Sequence, residues 1–189
     1  MKLGCVILAG GKSSRMGQDK AFLTWKGESF IERLTKEMDF FEEKMIAHGN
    51  RREIADTSWS VVKDIYPDRG PIGGLHTALT NCKSDALFCV TCDVPLVQRS
   101  LVSFLYQYMD ETTDAIIPIA EDGKVHPLCA IYRKKTSSAF LKKIEEGNNR
   151  IMSAFEHMNV KYVSLNAKQS KQLYNINTKE EYQRLLSEF

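Results

Sequence analysis

An apolar run from Cys5 to Ala9 that breaks into a glycine pair, Gly10 and Gly11, constrains this chain more than any other stretch. The run reads as a strand. The glycines read as a turn that exposes successive backbone N–H groups, which makes a ready site for an anion. Lys12, Arg15 and Lys20 bring three cations to the same loop, and a third glycine, Gly17, precedes Asp19 and Lys20. The combination suits a phosphate-bearing ligand at the edge of a parallel sheet. Spacing excludes two better-known phosphate loops. A Walker loop needs Gly-Lys-Ser/Thr, whereas Gln18 follows Gly17; a dinucleotide fingerprint needs G-x-G-x-x-G, whereas the glycines fall at 10, 11 and 17.

Along the chain, apolar β-branched runs alternate with helical patterns, which predicts an α/β sandwich with a mostly parallel sheet. Strands are expected at Cys5–Ala9, Lys44–Ala47, Val61–Lys63, Ala86–Cys92 and Val160–Leu165. Ser29-x-x-Glu32 and Thr178-x-x-Glu181 are capping boxes that open two helices. In the second of these, Tyr182, Leu185, Leu186 and Phe189 are expected to face the core. The stretch 70–74, Gly-Pro-Ile-Gly-Gly, reads as a turn leading into a helix from Leu75 to Asn81. A stripe of Leu101, Leu105 and Tyr108 predicts a helix over 98–109. Glu121-Asp122-Gly123-Lys124 suits an antiparallel hairpin between 114–120 and 127–132, which makes the sheet mixed. Helices are also expected over 134–146, ended by Gly147, and over 150–157.

The chain has 189 residues and suits a single domain spanning 1–189, burying roughly 70% of its unfolded surface. A net charge of +2 is too small to argue for nucleic acid or a membrane surface as partner. No apolar run approaches the roughly 18 residues of a membrane span. The five-residue apolar run near the start is too short for a signal peptide, so the expected location is cytoplasmic. Five cysteines at irregular spacing argue against a disulfide framework. Cys89-x-x-Cys92 lies in a strand, where residues three apart point to opposite faces, so the pair reads as buried structure and not as a metal or redox motif.

Three chemically loaded positions directly follow predicted strands: the Gly10 loop, Asp64 and Asp93. In a parallel sheet all three sit on the carboxyl edge, where ligands gather near a switch in strand order. Asp93 closes a buried strand two residues before Pro95. It either caps the next turn or holds magnesium bound to nucleotide phosphates, since that ion takes one or two carboxylates plus phosphate oxygens and water. Asp64 either forms a turn or meets a base or ribose. Gly73, within its glycine-rich stretch, either opens a helix or lets backbone approach a ligand closely. Arg15 and Lys20 are the expected phosphate partners, one as a planar fork and one as a point charge. Asn175 and Asn177 alternate so that both amides face one side, either as turn formers or as substrate contacts. His126 and Arg150 are weaker candidates.

The string from Leu8 to Lys20 resembles the nucleotidyltransferase signature L-A-G-G-x-S-x-R-M-G-x-x-K, with every fixed position filled. With Val62–Asp64, Gly70–Leu75, Cys92–Pro95, His126-Pro127, Arg150 and Asn175–Thr178, the chain resembles the molybdenum cofactor guanylyltransferases. That resemblance implies a three-layer, Rossmann-like fold of the nucleotide-diphospho-sugar transferase type. It also implies a reaction that joins GMP from GTP to the phosphate of molybdopterin, releasing pyrophosphate, with Mg2+ as cofactor. Leu8, Ala9, Gly10 and Gly11 would frame the nucleotide, with Gly73 nearby. Lys20 would meet its phosphates, Asp64 would contact GTP, and Asp93 would bind GTP and metal. Arg15 would neutralise the triphosphate. His126, Arg150, Asn175 and Asn177 would face the molybdopterin side. Proteins that deliver the cofactor or accept the product are candidate partners that the sequence leaves unspecified.

The chain departs from the family pattern at Lys179, where proline often follows Asn-x-Asn-Thr. It departs again at His48, where some relatives carry asparagine after the second strand. Chemically, the implied step is in-line attack of the molybdopterin phosphate on the α-phosphorus, with charge neutralised by Lys20, Arg15 and a metal on Asp93. A CTP-dependent or sugar-phosphate transferase, and a non-catalytic nucleotide-binding module, are the alternatives.

Overall fold

A computed structural model of the chain describes residues 1–10, 20–48 and 58–189. The opening apolar run forms β1 (Leu3–Leu8), of which five residues are buried. A small hairpin follows, β2 (Thr24–Trp25) and β3 (Glu28–Ser29), which the sequence pattern did not predict because each strand has two residues. Its turn, Lys26-Gly27, has positive φ at both positions, the conformation a tight two-residue hairpin requires. Then come β4 (Lys44–Ala47), β5 (Ser60–Val62), β6 (Ala86–Thr91), β7 (Ala115–Ile119), β8 (Ala130–Arg133) and β9 (Val160–Ser164).

Seven strands form one sheet in the order β5-β4-β1-β6-β8-β7-β9. All neighbours pair in parallel except β8, which runs antiparallel to both β6 and β7. The expected hairpin at 121–124 is present: Gly123 N–H donates to the Ala120 carbonyl at 2.8 Å, and Ile119 bridges Val125 antiparallel. After that turn the chain passes between β6 and β7 and makes the sheet mixed.

The helices are α1 (Phe30–Glu37), α2 (Pro71–Asn81), α3 (Arg99–Tyr106), α4 (Ser137–Glu145), α5 (Ala167–Ser170) and α6 (Lys179–Glu188). Both expected capping boxes are formed, on Ser29 with Glu32 and on Thr178 with Glu181; a third, on Asn166 with Gln169, opens α5. The stretch expected over 150–157 is a 3-10 helix, Ile151–His157. No helix among the described residues is long and apolar enough to cross a membrane.

Helices cover both faces of the sheet, and strand side chains alternate between them. Cys5, Ile7, Phe88 and Val90 pack toward α1 and α3 with Leu34 and Leu101. Val6, Leu8, Leu87 and Cys89 pack toward α2 and α4 with Leu75 and Phe140. A smaller cluster joins Trp25, Phe30, Leu96, Ile176 and Leu185, seating α6 on the β2–β3 hairpin. Leu186, expected in that core, is 48% exposed, because the contact face of α6 is only as wide as Leu185 and its partly buried neighbours Tyr182 and Phe189. Cys89 and Cys92 belong to opposite faces, as their strand spacing requires, and all five cysteines are buried free thiols.

Phe88 is fully buried at the centre of the α1/α3 face, its ring parallel to that of Phe41 at 6.5 Å. Phe88→Ala is expected to lower the free energy of unfolding by about 3–5 kcal/mol. Urea denaturation checks this, as a lower midpoint with unchanged slope.

Candidate functional site

Because β1, β4, β5 and β6 are parallel, their carboxyl ends share one edge of the sheet. The chain runs from the central β1 outward through β4 to β5, then returns to β6 on the other side of β1. The switch in strand order therefore falls at β1, where Leu8, Ala9 and Gly10 leave the sheet. Two backbone bonds set this edge: Ala9 N–H donates to the Ala47 carbonyl at 2.9 Å and Cys92 N–H to the Leu8 carbonyl at 3.4 Å.

On the β4–β5 side, His48 follows one strand and Asp64 the other. Pro71 begins α2, four residues earlier than the pattern predicted, so residues 71–74 are the first turn of a helix and not a turn before one. Proline suits that position because its fixed φ is already helical and its missing N–H is not needed there. Gly73 has a packing reason: a Cβ there would lie 2.8 Å from the Tyr66 carbonyl oxygen and 3.8 Å from Asp64 Oδ2. A Cβ on Gly74 would lie 3.6 Å from Asp64 Oδ1 and 3.3 Å from Leu8 Cδ2. The Asp64 carboxylate thus rests directly on the opening turn of α2, while Ile65 N–H donates to Thr77 Oγ1 at 2.9 Å and holds the loop in place. Among the described residues neither Asp64 Oδ1 nor His48 Nδ1, both buried, has a hydrogen-bond partner. Burial pushes the Asp64 carboxyl above its usual value, against the pull of His48.

On the β6 side lies a cleft of about 860 Å³ whose lining includes Thr91, Asp93, His126, Asn175 and Asn177. The Asp93 carboxylate accepts a hydrogen bond from the Thr91 hydroxyl, and the Asp93 carbonyl accepts from Ile176 N–H at 2.8 Å. Asn175 Oδ1 is buried without a partner among the described residues. Asn177 Oδ1 accepts from Lys20 Nζ at 2.7 Å, which brings the end of the glycine loop to the cleft wall. His126 is fixed by its backbone N–H on the Pro118 carbonyl at 3.0 Å, and the buried Tyr132 hydroxyl holds the next carbonyl, Pro127, at 2.6 Å. Burial lowers the His126 imidazole below its usual value, against the opposing pull of Asp122 and Asp93, which favours its uncharged form.

The fold therefore brings Asp93, His126, Asn175 and Asn177 to one cleft, with Lys20 joined to it through Asn177. Asp64 and Gly73 lie on the other side of β1. Arg150 is exposed ahead of the 3-10 helix Ile151–His157 and is not among the cleft-lining residues, whereas Met152 is. Gly11 and Arg15, with Lys12, Gly17 and Asp19, lie outside the described residues. Sequence reasoning missed Thr91, although its spacing of two from Asp93 at a strand end was a usable signal, since such residues share a face. It also missed the Lys20–Asn177 bond, which spans 157 positions and has no local signature.

The cleft's oxygen donors fit a hard divalent cation. Asp93 offers a carboxylate and Asn175 a buried amide oxygen that no described residue hydrogen-bonds. Among the described residues no three His, Cys, Asp or Glu side chains cluster. Magnesium needs no such cluster when phosphate oxygens and water complete its shell. Four thiols do not compete: burial raises Cys82 to about 11 and lifts Cys5, Cys89 and Cys129 above their usual value, which disfavours the thiolate a metal would need.

The family model for the MobA-like NTP transferase domain matches residues 5–161. A Clostridium perfringens relative named "Probable molybdenum cofactor guanylyltransferase" is 36% identical, the alignment covering 98% of this chain and 97% of the relative. Among solved structures, molybdopterin-guanine dinucleotide biosynthesis protein A from Archaeoglobus fulgidus superposes with a TM-score of 0.83 at 24% identity, over 98% of this chain and 97% of that one. The 2-C-methyl-D-erythritol 4-phosphate cytidylyltransferase of Thermus thermophilus superposes at 0.75 with 14% identity, over 99% and 98%. The last two show the shared fold.

A carboxyl whose pKa rises on folding binds its proton more tightly in the native state. Its contribution is therefore lost as pH rises above the unfolded value. Asp64→Asn removes that penalty. The melting temperature of the variant is expected to exceed wild type by about 2–4 °C at pH 7, the scale of ~1 kcal/mol for a relieved buried polar group. The gap should shrink toward zero near pH 4, as followed by thermal melts across that range.

Proposed function

The chain belongs to the MobA-like NTP transferase family, and from that premise we propose that it transfers GMP from GTP to the phosphate of molybdopterin, releasing pyrophosphate. The observation that carries this reading is the match, over nearly the full length of both chains, to a relative named for that activity. The geometry supports it. A glycine-rich strand end, a cation and a carboxylate converge on the carboxyl edge of a parallel sheet, which suits a nucleoside triphosphate.

In this reading the whole chain, 1–189, acts as one nucleotidyltransferase domain in the cytoplasm. Leu8, Ala9 and Gly10, with Gly11, frame the nucleotide, and Asp64 accepts a hydrogen bond from its base or ribose. His126 and Asn175 belong to the molybdopterin side, and so does Arg150, which is exposed and outside the cleft lining. Proteins that deliver molybdopterin or take up the product are the chain's candidate partners.

An oxygen of the molybdopterin phosphate attacks the α-phosphorus of GTP. A new P–O–P bond forms as the bond to the β-phosphate bridging oxygen breaks, and its electron pair leaves with pyrophosphate. The attacking phosphate is already an anion, so no side chain has to take a proton. What the protein supplies is position and charge. Lys20 and Arg15 place positive charge against the triphosphate, where it develops negative charge during transfer. Asp93, oriented by the Thr91 hydroxyl, would hold Mg2+ with Asn175 nearby. When bound, that ion neutralises phosphate oxygens that otherwise repel the incoming anion.

Mixing purified protein with GTP, Mg2+ and molybdopterin is expected to release pyrophosphate. CTP and ATP in place of GTP are expected to release little, and a preference for CTP would sink the guanylyl assignment. Asp93→Ala is expected to lose at least ~10²-fold in turnover in the same assay, the scale of one lost electrostatic element.

A further inference from the structure

We infer that Asn177 is a positioning residue for Lys20: its amide oxygen holds the Lys20 ammonium in place against the nucleotide phosphates. This rests on the nucleotidyl-transfer reading above, and it differs from the acceptor-side role that family resemblance implies for Asn177.

The segment Asn175-Ile176-Asn177 is held rigidly in place. Ile176 is fully buried among Leu23, Trp25, Phe30, Leu96 and Leu185. Its N–H donates to the Asp93 carbonyl at 2.8 Å, so the segment is tied to the strand end that carries the carboxylate. On its other side, the N–H groups of Asn177 and Thr178 both donate to Glu181 Oε2, at 2.6 and 2.9 Å, and Thr178 Oγ1 accepts from Glu181 N–H at 3.2 Å. The backbone of Asn177 is therefore held from both directions, by a core side chain and by the capping box of α6. From that fixed base its Oδ1 meets Lys20 Nζ at 2.7 Å.

The chemistry of the pair matters as much as its geometry. Lysine has one of the largest rotamer entropies, and a lysine that must meet a phosphate is more effective when its head is already placed. An ammonium carries three N–H donors, so a bond to Asn177 is compatible with contact to phosphate oxygens at the same time. An amide oxygen is neutral, and it orients the ammonium without cancelling its charge. An aspartate in the same place would orient the lysine equally well but would neutralise it, and would add an anion beside the triphosphate. The segment thus couples the two charged groups of the site: its backbone holds the strand end of Asp93 and its side chain holds Lys20.

The test uses full-length protein and calorimetric titration of GTP with Mg2+, without acceptor, on wild type, Asn177→Ala, Asn177→Asp, Lys20→Ala and the Asn177→Ala/Lys20→Ala double variant. Thermal melts show whether each variant is folded. Asn177→Asp keeps the shape and the bond, so it serves if Asn177→Ala fails to fold. Both Asn177 variants are expected to weaken GTP binding about tenfold, the scale of one hydrogen bond to a charged group. The Asn177→Ala change is expected to have no further effect once Lys20 is gone. In the pyrophosphate assay the KM for molybdopterin should stay within about twofold of wild type while kcat falls, in line with a group acting on charge placement alone. If folded Asn177 variants bind GTP as tightly as wild type and only the KM for molybdopterin rises, Asn177 is an acceptor contact and the inference is overturned. An additive loss in the double variant overturns it too. If wild type itself binds no GTP, the functional reading falls and the inference falls with it.

Discussion

The parallel pairing of β1 with β6 is the constraint on which the rest of the structure depends. The two strands run in register from Leu3 opposite Ala86 to Leu8 opposite Thr91. Both are buried on both faces. Side chains alternate along a strand, so a slip of one residue would send Phe88 and Val90 to the α2/α4 face and Leu87 and Cys89 to the other. It would also shift Asp93 by about 3.3 Å relative to Gly10. The core thus sets the register, and the register sets the distance between the glycine turn and the carboxylate. Packing and chemistry are linked through one ladder.

The second determinant is the return of the chain's far end. Residues 174–189 cross back to the β2–β3 hairpin, where Tyr182 donates its hydroxyl proton to the Thr24 carbonyl at 2.6 Å and Lys26 Nζ donates to the Phe189 carbonyl at 2.6 Å. Two cations, Lys26 and Arg33, each lie over the Trp25 ring at 4.4 Å from its centroid. Arg33 also donates from Nε to the Pro95 carbonyl at 2.9 Å, close to Asp93. These contacts make one wall of the site from elements at opposite ends of the sequence. They place Asn175 and Asn177 where a sheet of parallel strands alone would have left an open edge.

Among the described residues, three buried polar atoms without a hydrogen-bond partner stand at this edge, Asp64 Oδ1, His48 Nδ1 and Asn175 Oδ1, whereas Asp114 Oδ1, at the amino end of β7, meets Lys135 Nζ at 2.6 Å. Each of the three costs free energy in the folded chain, and buried groups are ordinarily satisfied. Their position along the carboxyl edge, and not in the helical layers, fits a site that is completed by a polar ligand. The core shows the opposite behaviour. Its free thiols are buried, and Cys89 and Cys92 are separated by the sheet itself.

The local features were legible in the sequence because they have short-range causes. The apolar run of β1, the capping boxes at Ser29 and Thr178 and the Asp-Gly turn at 122–123 each follow from residues within four positions of one another. Where the pattern erred, the cause was tertiary. Pro71–Gly74 became helix because Gly73 and Gly74 pack under Tyr66 and Leu8, and Leu186 stayed exposed because α6 meets its neighbours through a narrow face. By itself the sequence determined that strand ends would carry a glycine loop, Asp64 and Asp93 to a common edge, since parallel strands share their polarity. Only the tertiary structure decided that Lys20 meets Asn177, that Thr91 orients Asp93 and that Arg150 stays at the surface. Such contacts join residues far apart in the chain, and their geometry is set by packing of whole layers, which no local spacing encodes.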